Sequence, residues 1–94
     1  MIHVLAIITA KPGQRDALLQ LFHGIVATVR AEAGCIAYDV ARGIDDPGVF
    51  VLHEVWRDQA ALDAHYREEH FTRLGVNGIR PLATERIGHR CRAI

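Results

Sequence analysis

Phe50-Val51-Leu52-His53-Glu54-Val55-Trp56-Arg57-Asp58-Gln59-Ala60-Ala61-Leu62-Asp63-Ala64-His65-Tyr66-Arg67-Glu68-Glu69-His70-Phe71 changes its apolar period part-way along, and that change fixes the reading of its surroundings. Phe50 to Trp56 is rich in β-branched and aromatic residues, and a period of two sorts Phe50, Leu52, Glu54 and Trp56 onto one strand face. His53 points the other way. Asp58 is a suitable N-cap for the helix that follows, in which Ala61, Leu62 and His65 fall at helical spacing. Glu54 stands among large apolar neighbours, where a bare carboxylate is costly to bury. It is therefore solvated, paired with an Arg or His, or turned toward a cavity. His65 and His70 are either ordinary helix histidines satisfied by nearby groups or acid–base groups of a site.

Outward from this stretch the chain reads β-α-β-β-α-β. Ile2 to Ala10 is apolar on both alternating faces, as a strand covered on both sides would be. Lys11-Pro12-Gly13 ends it, and Leu18, Leu21, Phe22, Ile25 and Val29 then recur at three- and four-residue steps, with Gly34 read as the residue that stops this helix. Cys35 to Arg42 and Val49 to Trp56 form a hairpin across the breaker-rich Gly43-Ile44-Asp45-Asp46-Pro47-Gly48. The second helical region starts near Asp58 and breaks down at Gly75-Val76-Asn77-Gly78, before Arg80-Pro81. Leu82 to His89 is the last strand, and Arg90 to Ile94 is a short, partly basic tail.

This order is the ferredoxin-like α+β arrangement, with an antiparallel sheet and the first and third strands central. Right-handed crossovers put both helices on one sheet face. The central strands are nevertheless apolar on both faces, so an apolar surface must cover the second one. A second copy of the same sheet is the simplest cover, giving a homodimer built sheet against sheet, a dimeric α/β-barrel.

The 94 residues fit a single domain, 1–94, whose own core is only marginally stabilising. Lys plus Arg and Asp plus Glu balance at 11 each, so no global charge draws the chain to nucleic acid or an anionic membrane. The apolar run after Met1 is too short for a signal peptide or a membrane span, and the chain reads as cytoplasmic. Cys35 and Cys91 are too few for a zinc framework. The six histidines, His3, His23, His53, His65, His70 and His89, show no H-x-x-x-H or H-E-x-x-H spacing. His65 and His70, five apart, diverge on a straight helix and come back together only across a kink; with no ligand spacing in the sequence, no metal site is expected. Serine is absent and Cys35 has no sequence-local base, which disfavours nucleophilic catalysis. Phosphate-binding and dinucleotide motifs are missing too, so no bound cofactor is expected.

Taken in order, Glu32-x-Gly34-Cys35-x-x-Tyr38, the Asp46-Pro47 turn, Glu54-x-Trp56, Asp58-x-x-Ala61-Leu62-x-x-His65 and His70-Phe71 resemble the antibiotic biosynthesis monooxygenase family, especially its small quinol monooxygenase-like members. The resemblance covers essentially the whole chain. It implies a kink between Tyr66 and His70, and a pocket between helices and sheet that suits a flat phenolic or quinol-like ring. Tyr38, Trp56 and Phe71 would pack on such a ring, and His65 or His70, with Glu54, would move protons. Electron-rich phenolates can pass an electron to dioxygen unaided, so the implied chemistry is cofactor-free. Haem-degrading members of the family carry an Asn on the first strand, a Trp on the second helix and a His ligand further along it. Here the first strand has no Asn, His65 stands nearest to that Trp, and Leu74-Gly75-Val76 replaces the ligand. Three functions remain open: a monooxygenase, an isomerase or lyase using the same His and Glu groups, and a ligand-binding module.

Overall fold

The computed structural model describes Met1 to Ile94. Its elements are β1 (Ile2–Ala10), α1 (Arg15–Arg30), β2 (Cys35–Arg42), β3 (Val49–Trp56), α2 (Gln59–Arg67), a π-helix (Phe71–Ile79), the one-turn α3 (Arg80–Leu82) and β4 (Ala83–Cys91). The sheet runs β2-β3-β1-β4 with every neighbouring pair antiparallel. This is the expected ferredoxin-like α+β arrangement. The two most apolar strands, β1 and β3, are the central pair.

The period of two along β1 and β3 decides which residues meet the helices. Ile2, Val4, Ala6 and Ile8 join Phe50, Leu52 and Trp56 in one core with Leu18, Phe22, Ile25 and Val29 of α1 and Ala61 and Leu62 of α2. The helix-free face shows the opposite parity. Ile7 pairs with Val51 on one side and Ile87 on the other, and Leu5 lies two residues away on the same face. These four side chains stay 39% to 46% exposed, an apolar row across three strands with no helix over it. His53 also faces this way, its Nε2 3.2 Å from Nδ1 of His3.

Three local readings need correction. α1 ends at Arg30 with Ala31 as its cap, so Gly34 is not its stop residue. Gly34 instead occupies the following turn at φ 82°, where a Cβ would approach Ala61 Cβ to 2.5 Å. It is needed both for the left-handed backbone and for the close passage of α2. The second correction concerns Gly75 to Gly78, where the helical path does not break. It widens into a π-helix, with the Arg80 N–H donating to the Gly75 carbonyl five residues back, and continues into α3. Pro81 is the second residue of α3, and the helical path ends one residue after it, at Leu82. Third, β4 starts at Ala83 and extends to Cys91, using part of the tail to pair with His3. The kink before His70 is present: Glu68 is extended at φ −66° and ψ 140°, which separates α2 from the π-helix. No helix is long and apolar enough to cross a membrane.

Candidate active site

Glu54 owes its position to the parity of β3. It sits in register between Val4 of β1 and Tyr38 of β2, facing the helices, and is 6% exposed. Asp58 starts α2 by accepting from the Ala61 N–H at 2.9 Å, and the helix then brings His65 down beside Ala61 and Leu62 on its buried stripe. His65 is 3% exposed. Glu32, from the turn after α1, reaches His65 from behind, its Oε2 lying 2.8 Å from Nδ1. The extended residue at Glu68 swings His70 back onto the same oxygen, with Nε2 at 2.8 Å.

A carboxylate accepts, so both rings donate to Glu32. In the neutral form of His65 this bond places the proton on Nδ1. Nε2 is left with a lone pair that faces Oε1 of Glu54 across 4.0 Å. That gap is too wide for a hydrogen bond and wide enough for a bridging hydroxyl or water to share the two groups. Glu54 is held in turn by the Trp56 indole, whose Nε1–H donates to Oε1 at 3.0 Å. Burial pushes the Glu54 carboxyl above the ordinary glutamate value, opposed by the Trp56 hydrogen bond and the nearby His65. Burial likewise raises the Tyr38 phenol, so it stands at the site as a neutral O–H.

These groups form the floor of a cavity between sheet and helices. Tyr38, Glu54 and His65 lie beneath walls of Ile8, Ile25, Leu52, Phe71 and Ile79, and Tyr66, Arg80 and Arg86 stand at the mouth. The cavity measures about 50 Å³. That is well below the roughly 300 Å³ at which small-molecule pockets begin, so a ring enters only if the mouth yields. A larger hollow of about 350 Å³ opens between α1 and β2, near Phe22, His23 and Val40. None of the buried acid–base groups reaches it, so the smaller cavity is the candidate site.

The antibiotic biosynthesis monooxygenase profile matches residues 1–74. The chain belongs to this family. YgiN of Escherichia coli, described as a "probable quinol monooxygenase", is 39% identical over 74% of this chain and 77% of its own length. A solved structure of an antibiotic biosynthesis monooxygenase superposes with a TM-score of 0.92 at 39% identity, covering 100% of this chain and 99% of the other. The uncharacterized protein sll1783 of Synechocystis is 33% identical over 68% of this chain, which spans only 44% of that longer relative.

Within this family fold the residues singled out in the sequence separate into two groups. Glu54, His65, Tyr38 and Phe71 converge on the cavity. Trp56 does not line it. It is fully buried, with its ring 4.5 Å from that of His65, and acts as a support behind Glu54. His70 also stays outside, acting on Glu32. Four contributors went unread as site residues: Glu32, Tyr66, Arg80 and Arg86. Glu32 lies inside the family-like motif, but nothing local shows that it meets a histidine 33 positions further on. Period-two alternation along β4 would have put Arg86 on the helix side, since it pairs with the buried Ile8.

Glu32, His65 and His70 each offer one ligand atom, and the three lie within 4.8 Å of one another. The break at Glu68 thus removes the divergence that five residues impose on a straight helix. Two imidazoles and a carboxylate suit a transition metal. Glu32 and His70 are not cavity residues, so an ion held there would lie behind His65, on the side away from a substrate. Cys35, by contrast, has its thiol pushed up by burial and by the neighbouring Glu32, which makes it a poor nucleophile.

Proposed function

We propose that this chain is a cofactor-independent monooxygenase acting on a small phenolic or quinol-type aromatic. The observation that carries the reading is His65, anchored at Nδ1 by Glu32 and presenting Nε2 to a cavity with aromatic and aliphatic walls. The ring hydroxyl enters the 4.0 Å gap between His65 and Glu54 and gives its proton to Nε2. Glu32 supports the imidazolium that results, as the carboxylate partner of a catalytic histidine does. The phenolate is electron-rich enough to reduce dioxygen directly. One oxygen atom joins the ring carbon, and the other leaves as water. The electrons and protons for that water come from the ring, which ends as a quinone. The walls keep bulk water from the reduced oxygen intermediate.

One observation favours a second reading. A carboxyl raised by burial and an imidazole lone pair facing each other across one small gap also make an acid–base pair for isomerisation or lyase chemistry on a carbonyl compound. The two readings differ in oxygen consumption. Metal-free protein would be incubated with a panel of quinols in air, following oxygen uptake and product absorbance beside a His65→Ala control. Uptake that depends on His65 is expected. Equal rates in the two proteins, or no rate above autoxidation, would overturn the monooxygenase reading, and saturable binding without turnover would point to a ligand-binding module.

A further inference from the structure

We infer that the substrate carries an anionic substituent, and that Arg86, seconded by Arg80, recognises it at the mouth of the cavity. The inference rests on reading the His65 cavity as the substrate site. On the helix side of the β1–β4 pair, Ile8 faces Arg86 and the next pair is Ala6 with Gly88. Two small residues in register leave a trough on the sheet. The Arg86 side chain lies in it: a Cβ on Gly88 would sit 3.0 Å from Nη1 and 3.4 Å from Cζ of Arg86. The guanidinium is therefore laid along the strand over Gly88, while the residue remains exposed to solvent.

In that position Arg86 walls the cavity and also an adjoining hollow of about 230 Å³, and the two spaces share Ile8, Ile79 and Arg80 as well. Neither arginine forms an ion pair within the chain, although Glu85 borders the hollow; Arg15, Arg67, Arg90 and Arg92 are unpaired as well, but none of these lines the cavity, and Arg30, Arg42, Arg57 and Arg73 have carboxylate partners. The cavity is thus polar along its length, with Glu54 at its floor and Glu32 behind His65, and two unpaired cations at its mouth. A carboxylate on the ring would be drawn to the two cations at the mouth, since the floor offers it no cationic partner of that kind. That orientation turns the opposite, hydroxyl-bearing edge of the ring toward His65. A planar guanidinium matches a carboxylate with two parallel N–H donors, which a lysine does not.

Equilibrium binding of two probes to the whole protein, measured by calorimetry without oxygen, tests this directly. The probes are 2,5-dihydroxybenzoate and its uncharged parent 1,4-dihydroxybenzene. The carboxylate probe is expected to bind about tenfold or more tightly, a preference that raised salt erodes. Arg86→Gln should collapse the ratio of the two affinities, Arg86→Lys should restore part of it, and Arg80→Gln should narrow it further in combination, with thermal midpoints confirming that each variant is folded. A ratio near one in the wild type, a ratio that survives the Arg80→Gln/Arg86→Gln double variant, or no binding of either probe overturns the inference. Admitting air then separates the two proposals. A charge preference without oxygen uptake sinks the monooxygenase reading alone, and uptake without charge preference sinks anion recognition alone.

Discussion

The proposed role of His65 as a base depends on what stands on either side of it. A lone imidazole can carry its neutral proton on either nitrogen, and only one of those forms offers a lone pair to a given direction. Glu32 removes the choice by accepting from Nδ1, so truncation of His65 and truncation of Glu32 should differ in degree. His65→Ala is expected to lower kcat by about 10²- to 10⁴-fold, the usual range for a general base. Glu32→Gln should cost less, since its amide oxygen can still accept from one of the two rings, and His70→Ala less again. Steady-state kinetics of the three variants on one active quinol checks the order, and an equal or greater loss in His70→Ala would reverse the assignment of the base. Glu54 invites a separate measurement, because its folded-state pKa is raised by burial. The native protein therefore holds this proton more tightly than the unfolded chain, whose glutamate titrates near ~4.3. The associated stability is complete below that pH and is lost as the pH rises through the higher folded value. Glu54→Gln has no proton to lose. Urea unfolding of the variant and wild type should give a difference that moves in the variant's favour from pH ~4 toward neutrality. A difference flat with pH would show that His65 and Trp56 fully compensate the buried charge.

Elements matter here through their joints more than through their interiors. The passage of α2 over the turn that carries Glu32 is set by Gly34, whose positive φ and missing Cβ let Ala61 approach. Gly34→Ala meets both penalties at once, a left-handed alanine costing roughly 1–2 kcal/mol and a contact that cannot be accommodated without moving α2. A destabilisation of about 2 kcal/mol or more is expected, with activity falling further than stability because Glu32 and His65 are carried on the two sides of that contact. Chemical denaturation paired with kcat/KM at a temperature where the variant is folded tests this. The three strands β1, β2 and β3 were legible in the sequence because period-two alternation and turn residues agree there. The Asp58 cap was legible because its partner, the Ala61 N–H, is three residues away. The π-helix was not. Gly75 and Gly78 look like breakers in isolation, and only the burial of Ile79 and the packing of Leu74 show why the chain keeps coiling past them. For the same reason the candidate site was half readable. Glu54, His65, Tyr38 and Phe71 announce themselves by residue type on a recognisable face, whereas Glu32 and Arg86 gain their roles from contacts made only by the closed fold.

At the scale of the whole molecule, one sheet face is covered by helices and the other is not. Leu5, Ile7, Val51 and Ile87 form a continuous row there, bordered by the His3 and His53 pair. A chain of 94 residues has a small core relative to its surface, so leaving such a row in water forfeits stabilisation that it can ill spare. The row lies at the centre of the sheet and repeats its own chemistry, which suits a two-fold contact in which a residue meets its counterpart or a neighbour on an identical surface. We propose that two copies pair through this face. The cavity opens between the sheet and the helices, so pairing leaves its floor intact and stiffens the sheet from which Tyr38, Glu54 and Arg86 project. Multi-angle light scattering at micromolar concentration should report twice the chain mass, and the thermal midpoint should rise with concentration. Val51→Asp places a charge in the middle of the row, which strongly disfavours burial against a second sheet. Loss of the dimer is expected together with a lower midpoint that no longer depends on concentration. Ile7→Asp, one strand away and directly paired with Val51, should give the same pattern. Asp16→Asn is a matched control, on exposed α1 surface far from this face, and should stay dimeric. A wild-type chain that runs as a monomer with a concentration-independent midpoint would refute pairing through this face.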